Sequence, residues 1–308
     1  MREEDLREAG RKIRLIICDL DGTLLNSRKL ISPENLAAVR EARSRGIFVT
    51  ICSGRVHPML EAYSRTLNIQ GPLIAANGGV IFDTRNGEIL YRNLAEGEKI
   101  YHLLRFCLKH GMDHIVVSSR ACWYSENSRR IRRFEQYNDI AEADKLQPIP
   151  LRRFGAGTDA AGAETGNNYR EALKDGIYKV LISGISPKEQ VMIEAYIRSL
   201  GGLSSTSSEP DLLDVSAEGV DKGNGVRILA KHLGLIKEQI CVFGDYWNDI
   251  PMMEAAGLPI AMGNGDSRVK ACALAVTGSN DEDGVASAIK KYILWEAFPK
   301  LQFLGKQP

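Results

Sequence analysis

The sequence predicts an α/β protein built on a mostly parallel sheet, with a second, α+β domain inserted into it. Three observations carry that prediction. Short continuous apolar runs, RLIIC (14–18), IFVTIC (47–52), LIAA (73–76) and ICVF (240–243), alternate with helix-like stretches, as strands buried on both faces of a parallel sheet require. Each run ends in polar residues: Asp19, Ser53, Asn77 and the pair Gly244-Asp245. Between about residues 85 and 215 the pattern changes to helices mixed with hairpin-like strands, the mark of a separate α+β unit.

Taken in order, RLIIC is the first strand, and SPENLAAVREARSRG (32–46) is the helix that follows. Ser32 is placed to cap it, Pro33 suits its first turn and Gly46 its end. IFVTIC and LIAA are the next two strands of the parallel sheet. The inserted part begins with a helix over EGEKIYHLLRFCLKHG (96–111), then strands at HIVVSS (114–119) and CWYSE (122–126) and a basic helix at SRRIRRFEQYN (128–138). GAGTDAAGAETGNN (155–168), small and polar without a hydrophobic period, reads as a long mobile loop. A strand YKVLIS (178–183), a helix PKEQVMIEAYIRSLGG (187–202) and strands LSSTSS (203–208) and LLDVSA (212–217) complete it. The expected division is 1–84 and 216–308 for the core and 85–215 for the insert.

Composition excludes several classes. With 308 residues, 44% hydrophobic and 26% charged, the chain can bury a large core. A net charge of +1 gives no global field for nucleic acid or anionic membrane, so an acidic ligand has to be captured locally. The opening MREEDLREAGRK is charged, and no run reaches membrane-spanning length. The expectation is a cytoplasmic protein that binds neither nucleic acid nor membrane. Six cysteines without a CxxC pair read as reduced, packed thiols.

The chemistry is concentrated at the strand ends. CDLDGTLLNS (18–27) places Asp19 and Asp21 two residues apart before a Gly-Thr turn; Ser53-Gly54 ends the second run, and GDYWND (244–249) ends a later one. Polar clusters at the carboxyl ends of strands are where open α/β sheets build their sites. DKGNGV (221–226) offers Lys222 just before another helix. Asp19, Asp21, Asp245 and Asp249 are hard oxygen donors of the kind Mg²⁺ takes together with water and phosphate oxygens. Brought together without a cation they would repel, whereas Mg²⁺ and Lys222 would let a dianionic phosphate approach. One carboxylate of the pair can then attack as a nucleophile while its neighbour moves the proton.

In their order, DLDGTLL, CSGR, DKG and GDYWND resemble the four motifs of the haloacid dehalogenase-like phosphatases. AANGGVIFD and the later AMGNGDSRVKACALAVTGSNDEDGVASAI resemble their Cof-type branch, which carries a type IIB cap between motifs two and three. The resemblance implies a Rossmann-like core and a phosphatase that hydrolyses phosphomonoesters of small metabolites, sugar phosphates and phosphorylated cofactors foremost, with Mg²⁺ as cofactor. It implies Asp19 as nucleophile and Asp21 as acid and base, its main-chain carbonyl on the metal. Ser53 and the Gly54 amide would hold the phosphoryl group and Lys222 would neutralise charge on it and on Asp19. Asp245 would ligate Mg²⁺, Asp249 would support it through water, and Asn248 would orient the site. Asn77 and Arg55 would lie near the substrate, and the cap would select the leaving group. Tyr246, Trp247 and Asp221 depart from the family pattern without removing a catalytic group. Two other readings remain: a phosphomutase of the same fold, and a metabolite-binding regulator without turnover.

Other features carry less. Arg129, Arg130, Arg132 and Arg133 read as a solvated helix face; His110 and His114 have helical spacing, but Gly111 breaks it. GNG (263–265) is a turn, and no GxxxxGK[ST] sequence is present. Trp123 and Tyr124 can either pack the inserted sheet or face a ligand.

Overall fold

The computed structural model describes residues 2–125, 128–155, 168–209 and 211–295. The chain divides into two compact units, Met1–Ser53, Tyr63–Leu90 and Asp221–Pro308 in one, Gly54–Ala62 and Tyr91–Val220 in the other.

In the first unit five strands form a parallel sheet in the order Ala275–Val276, Leu258–Ala261, Ile240–Gly244, Leu15–Cys18, Phe48–Ile51. Leu15–Cys18 has neighbours on both sides and is wholly buried, which is why it reads as an unbroken apolar run. The helix Pro33–Ser44 crosses from it to Phe48–Ile51. The Ser32 side chain accepts the Asn35 N–H at 3.1 Å, and Pro33 sits in the first turn, as the capping pattern predicts. Register sets the site: Cys18 lies level with Ile51 on one side and Phe243 on the other. Asp19, Cys52 and Gly244 therefore leave the sheet side by side. Asp19 N donates to Phe243 O at 3.0 Å and Cys52 N to Cys18 O at 2.9 Å.

One strand is placed differently from expectation. Pro72–Ala75, within which LIAA begins, pairs antiparallel with Val80–Asp83 in a three-stranded sheet completed by Ile89–Arg92. It meets the parallel sheet through a backbone bridge, Cys52 to Ile74, where Ser53 N donates to Ile74 O at 3.0 Å, and through the Thr50 hydroxyl, which donates to Pro72 O at 2.7 Å. Pro72 has no N–H to give to a ladder, and the chain turns straight back at Ala76–Gly78, so a hairpin replaces a fully paired parallel strand.

The second unit carries a six-stranded sheet in the order Leu203–Glu209, Leu212–Ala217, Ile177–Ser183, Asp113–Ser118, Cys122–Tyr124, Leu151–Arg153. All neighbours are antiparallel except the last pair. The helix Gly97–Lys109 presents Ile100, Leu103, Leu104 and Cys107, one stripe at helical spacing, to a core shared with Val116, Val180, Ile182 and Val215. Trp123 is part of this core, with Phe154 stacked on it. The basic helix begins at Ile131, and Arg130 and Arg133 both pair with Glu209. Residues 156–167 of the expected loop lie outside the described residues.

His114 is buried, with Nδ1 2.8 Å from Met112 O and Nε2 2.8 Å from the Tyr169 hydroxyl. A carbonyl only accepts, so Nδ1 carries the proton and Nε2 accepts from Tyr169. Burial holds its pKa below the usual histidine range, against the Met112 carbonyl and Asp113, which act the other way. It serves the packing of this unit. Among the described residues no helix is long and apolar enough to cross a membrane, and the six cysteines are free thiols.

Candidate active site

The turn after Leu15–Cys18 closes with Leu25 N donating to Leu20 O at 2.9 Å. Gly22 makes it possible: its φ is +82°, and a Cβ there would lie 2.3 Å from Asp245 Oδ2. Only a residue without a side chain lets this backbone approach the carboxylate so closely. Thr23, the next residue, donates its hydroxyl to Asp245 Oδ1 at 2.8 Å. The Gly-Thr following the two aspartates thus shapes the turn and also fastens motif four.

Lys222 opens the helix Lys222–Leu233, with the Asp221 carboxylate capping it through the Asn224 N–H at 2.7 Å. Asp221, one of the three residues that depart from the resembled pattern, is thus a helix cap. This helix packs tightly enough that a Cβ on Gly223 would sit 2.2 Å from Pro251 O, and one on Gly225 would meet Gly78 Cα at 2.9 Å. The side chain of Lys222 is 1% exposed, and its Nζ lies 2.6 Å from both Asp19 Oδ1 and Asp249 Oδ1. Asp249 has its other oxygen occupied, accepting the N–H groups of Asp245 at 2.8 Å and Tyr246 at 3.0 Å. It anchors the lysine on one side and the motif-four loop on the other.

Asp19, Asp245 and Asp249 each bring a carboxylate oxygen within 4.8 Å of the others. Three carboxylates face one ammonium, an imbalance that a divalent cation with oxygen preference would correct; the donor set fits Mg²⁺. Burial pushes the Asp19 carboxyl well above the usual range, with Lys222 opposing and Asp249 and Asp245 adding to the rise. Asp245 is pushed up to about 7 by burial and Asp249, against the Thr23 hydrogen bond and Lys222. Lys222 is held above its ordinary value because Asp19 and Asp249 outweigh the desolvation that would lower it.

A second group adjoins the first through the chain. Asn77, buried and left-handed at φ +54°, donates its N–H to Ser53 O at 3.0 Å, and Asn248 Nδ2 donates to Asn77 Oδ1 at 3.1 Å. Ser53, Asn77 and Asn248 are therefore linked in one chain of hydrogen bonds. Asp21 is turned to Lys29, which donates to its Oδ1 at 2.8 Å, and is not one of the three clustered carboxylates. Gly54 and Arg55 belong to the second unit. Tyr246 and Trp247 stack on each other, with the Arg268 guanidinium 3.4 Å from the Trp247 ring centre. Thr23 and Lys29 are the polar residues that sequence reasoning missed. The signal for Thr23 was its place in DLDGT, read there only as turn chemistry.

Residues 16–289 match the family model for haloacid dehalogenase-like hydrolases. The chain is 31% identical to the 5-amino-6-(5-phospho-D-ribitylamino)uracil phosphatase YcsE of Bacillus subtilis, covering 92% of this chain and 96% of that one. It is 27% identical to the pyridoxal phosphate phosphatase YbhA of Escherichia coli, over 91% and 99% of the two chains. A haloacid dehalogenase-like hydrolase from B. subtilis superposes with a TM-score of 0.75 at 27% identity, over 90% of this chain and 99% of the other.

Proposed function

The chain belongs to the haloacid dehalogenase-like hydrolases, of Cof type, and is a phosphatase; on that premise we propose that it hydrolyses phosphomonoesters of small metabolites through a covalent intermediate on Asp19. Sugar phosphates and phosphorylated cofactors are the leading substrate class. Relatives named for a phosphoribitylamino-uracil and for pyridoxal phosphate support it.

The observation that carries the mechanism is the two-sided grip of Lys222 on Asp19 and Asp249, 2.6 Å to each. It fixes one oxygen of Asp19 and so orients the carboxylate for attack at phosphorus, in a buried site that needs little reorganisation. A bond forms from Asp19 to phosphorus and the bond to the leaving oxygen breaks, Asp21 giving that oxygen its proton. A water then attacks the phosphoryl group while Asp21 takes the water's proton, and the Asp19–phosphorus link breaks. Lys29, paired with Asp21 in the resting site, would have to yield its hold for that proton transfer. Lys222 and the Ser53 hydroxyl bear the charge on the phosphoryl oxygens. Asp19, Asp245 and the Asp21 carbonyl, with Asp249 behind them, would hold Mg²⁺, which when bound would supply further neutralisation of the phosphate. Residues 85–215 are assigned the choice of leaving group.

The test is a panel of phosphorylated metabolites with Mg²⁺, ranked by kcat/KM. Phosphate release concentrated on small phosphomonoesters is expected. Release from none, or isomer interconversion that requires a bisphosphate, would overturn the reading.

A further inference from the structure

The strand Ile177–Ser183 is buried at every position, yet its third residue is a lysine. Lys179 is 7% exposed, and its ammonium donates to Asp214, 1% exposed on the adjacent strand Leu212–Ala217. The same ammonium donates to the main-chain oxygen of Gly54 at 2.8 Å. All of these groups belong to the second unit, as does the whole segment Gly54–Ala62. The segment is held again at Pro58, whose carbonyl accepts from the Tyr137 hydroxyl, and at His57, edge-on to Tyr178 with ring centres 6.2 Å apart.

Fold stability does not require this ion pair. An apolar pair of similar volume serves a buried strand position as well as two charges whose desolvation must be offset. What a methionine at 179 could not supply is a directed donor on Gly54 O. Gly54 has no side chain to restrict its own φ and ψ, and it directly follows Ser53. A pinned carbonyl fixes the conformation that a bare glycine leaves open.

We propose that Lys179, fixed by Asp214, is a positioning residue for the phosphoryl-binding turn at Ser53-Gly54, acting through the Gly54 carbonyl. The inference rests on the reading of that turn given above. Lys179 does not touch the substrate; by holding the Gly54–Arg55 peptide it restrains rotation about Gly54 and so the direction of the Ser53–Gly54 peptide before it.

The test compares Lys179→Met, the double variant Lys179→Met with Asp214→Leu, and Ser53→Ala. Each is assayed for KM toward p-nitrophenyl phosphate and for the inhibition constant of inorganic phosphate, with Mg²⁺ present. Neither constant depends on the folded fraction, so lost stability alone moves neither. The double variant leaves no uncompensated buried charge and keeps the chain folded even where Lys179→Met does not. Both constants are expected to rise about tenfold or more in the double variant, the scale of a misplaced binding group, and to rise in Ser53→Ala. Wild-type constants in the double variant beside an impaired Ser53→Ala would overturn the proposal alone. Wild-type constants in Ser53→Ala would sink the reading of the turn, and the proposal with it.

Discussion

Replacing Lys222 with methionine keeps most of the side-chain volume and removes the charge. Two hydrogen bonds of 2.6 Å are lost, and Asp19 and Asp249, 6% and 0% exposed, are left buried beside Asp245 without their ammonium. Taking one partner from a buried ion pair costs about 3–5 kcal/mol. For a unit of this size each kcal/mol moves the midpoint by about 2–4 °C, so the transition of the first unit should fall by roughly 6–20 °C. The measurement is thermal unfolding in excess chelator, with exposed Lys12→Met as the control that should stay within about 0.5 kcal/mol. Added Mg²⁺ should narrow the deficit, because a cation that binds only the folded site stabilises it. Turnover should drop on the order of 10²–10³-fold, the usual effect of deleting one preorganised donor. A Lys222→Met protein as stable as the control, or with full activity, would refute the reasoning.

Three further outcomes follow from particular distances and charges. In Gly22→Ala the new Cβ, 2.3 Å from Asp245 Oδ2, should drive that carboxylate back by about 1 Å and lower kcat/KM on the order of 10²-fold, with weaker apparent Mg²⁺ affinity; wild-type kinetics would contradict it. Chelating Mg²⁺ should abolish phosphate release and Ca²⁺ should restore little, since it accepts looser, higher coordination; full activity in excess chelator would remove the metal from the account. His114 has a depressed pKa in the folded protein, so its contribution is complete above the unfolded value of about 6.5 and is lost as pH falls from there toward the folded pKa. Stability should decline in that window by up to about 1.4 kcal/mol per pH unit. His57, depressed by burial in the same direction, adds to the slope. His114→Gln should flatten it, measured by urea unfolding between pH 5 and 7, and an unchanged slope would count against the assignment.

The parallel strands were legible because burial on both faces leaves an unbroken apolar run, as at Leu15–Cys18. The helix after Ser32 was legible because capping is local chemistry. Pro72–Ala75 was misplaced because an apolar run does not say which neighbour it pairs with. The limit at the site is the same. Asp19 and Asp245 could be picked out as polar residues ending strands, but their partners are remote in sequence: Thr23 reaches Asp245 across 222 positions. Lys179 was hidden for a related reason. A single lysine in an apolar strand gives no sign that Asp214 and Gly54 O wait for it, 35 and 125 positions away.

The central claim is that Asp19 carries the phosphoryl group and Asp21 moves the proton, and the Asp21→Asn protein tests it most directly. On that claim its nucleophile is intact, but it would not activate the water that clears the intermediate. An aryl phosphate supplies a leaving group good enough to bypass part of the missing acid. After incubation with that substrate and Mg²⁺, acid quench and peptide mass spectrometry should find one phosphoryl group on Asp19, while Asp19→Asn treated alike shows neither adduct nor turnover. A phosphoryl group on another residue, or normal turnover by Asp19→Asn, would contradict the account.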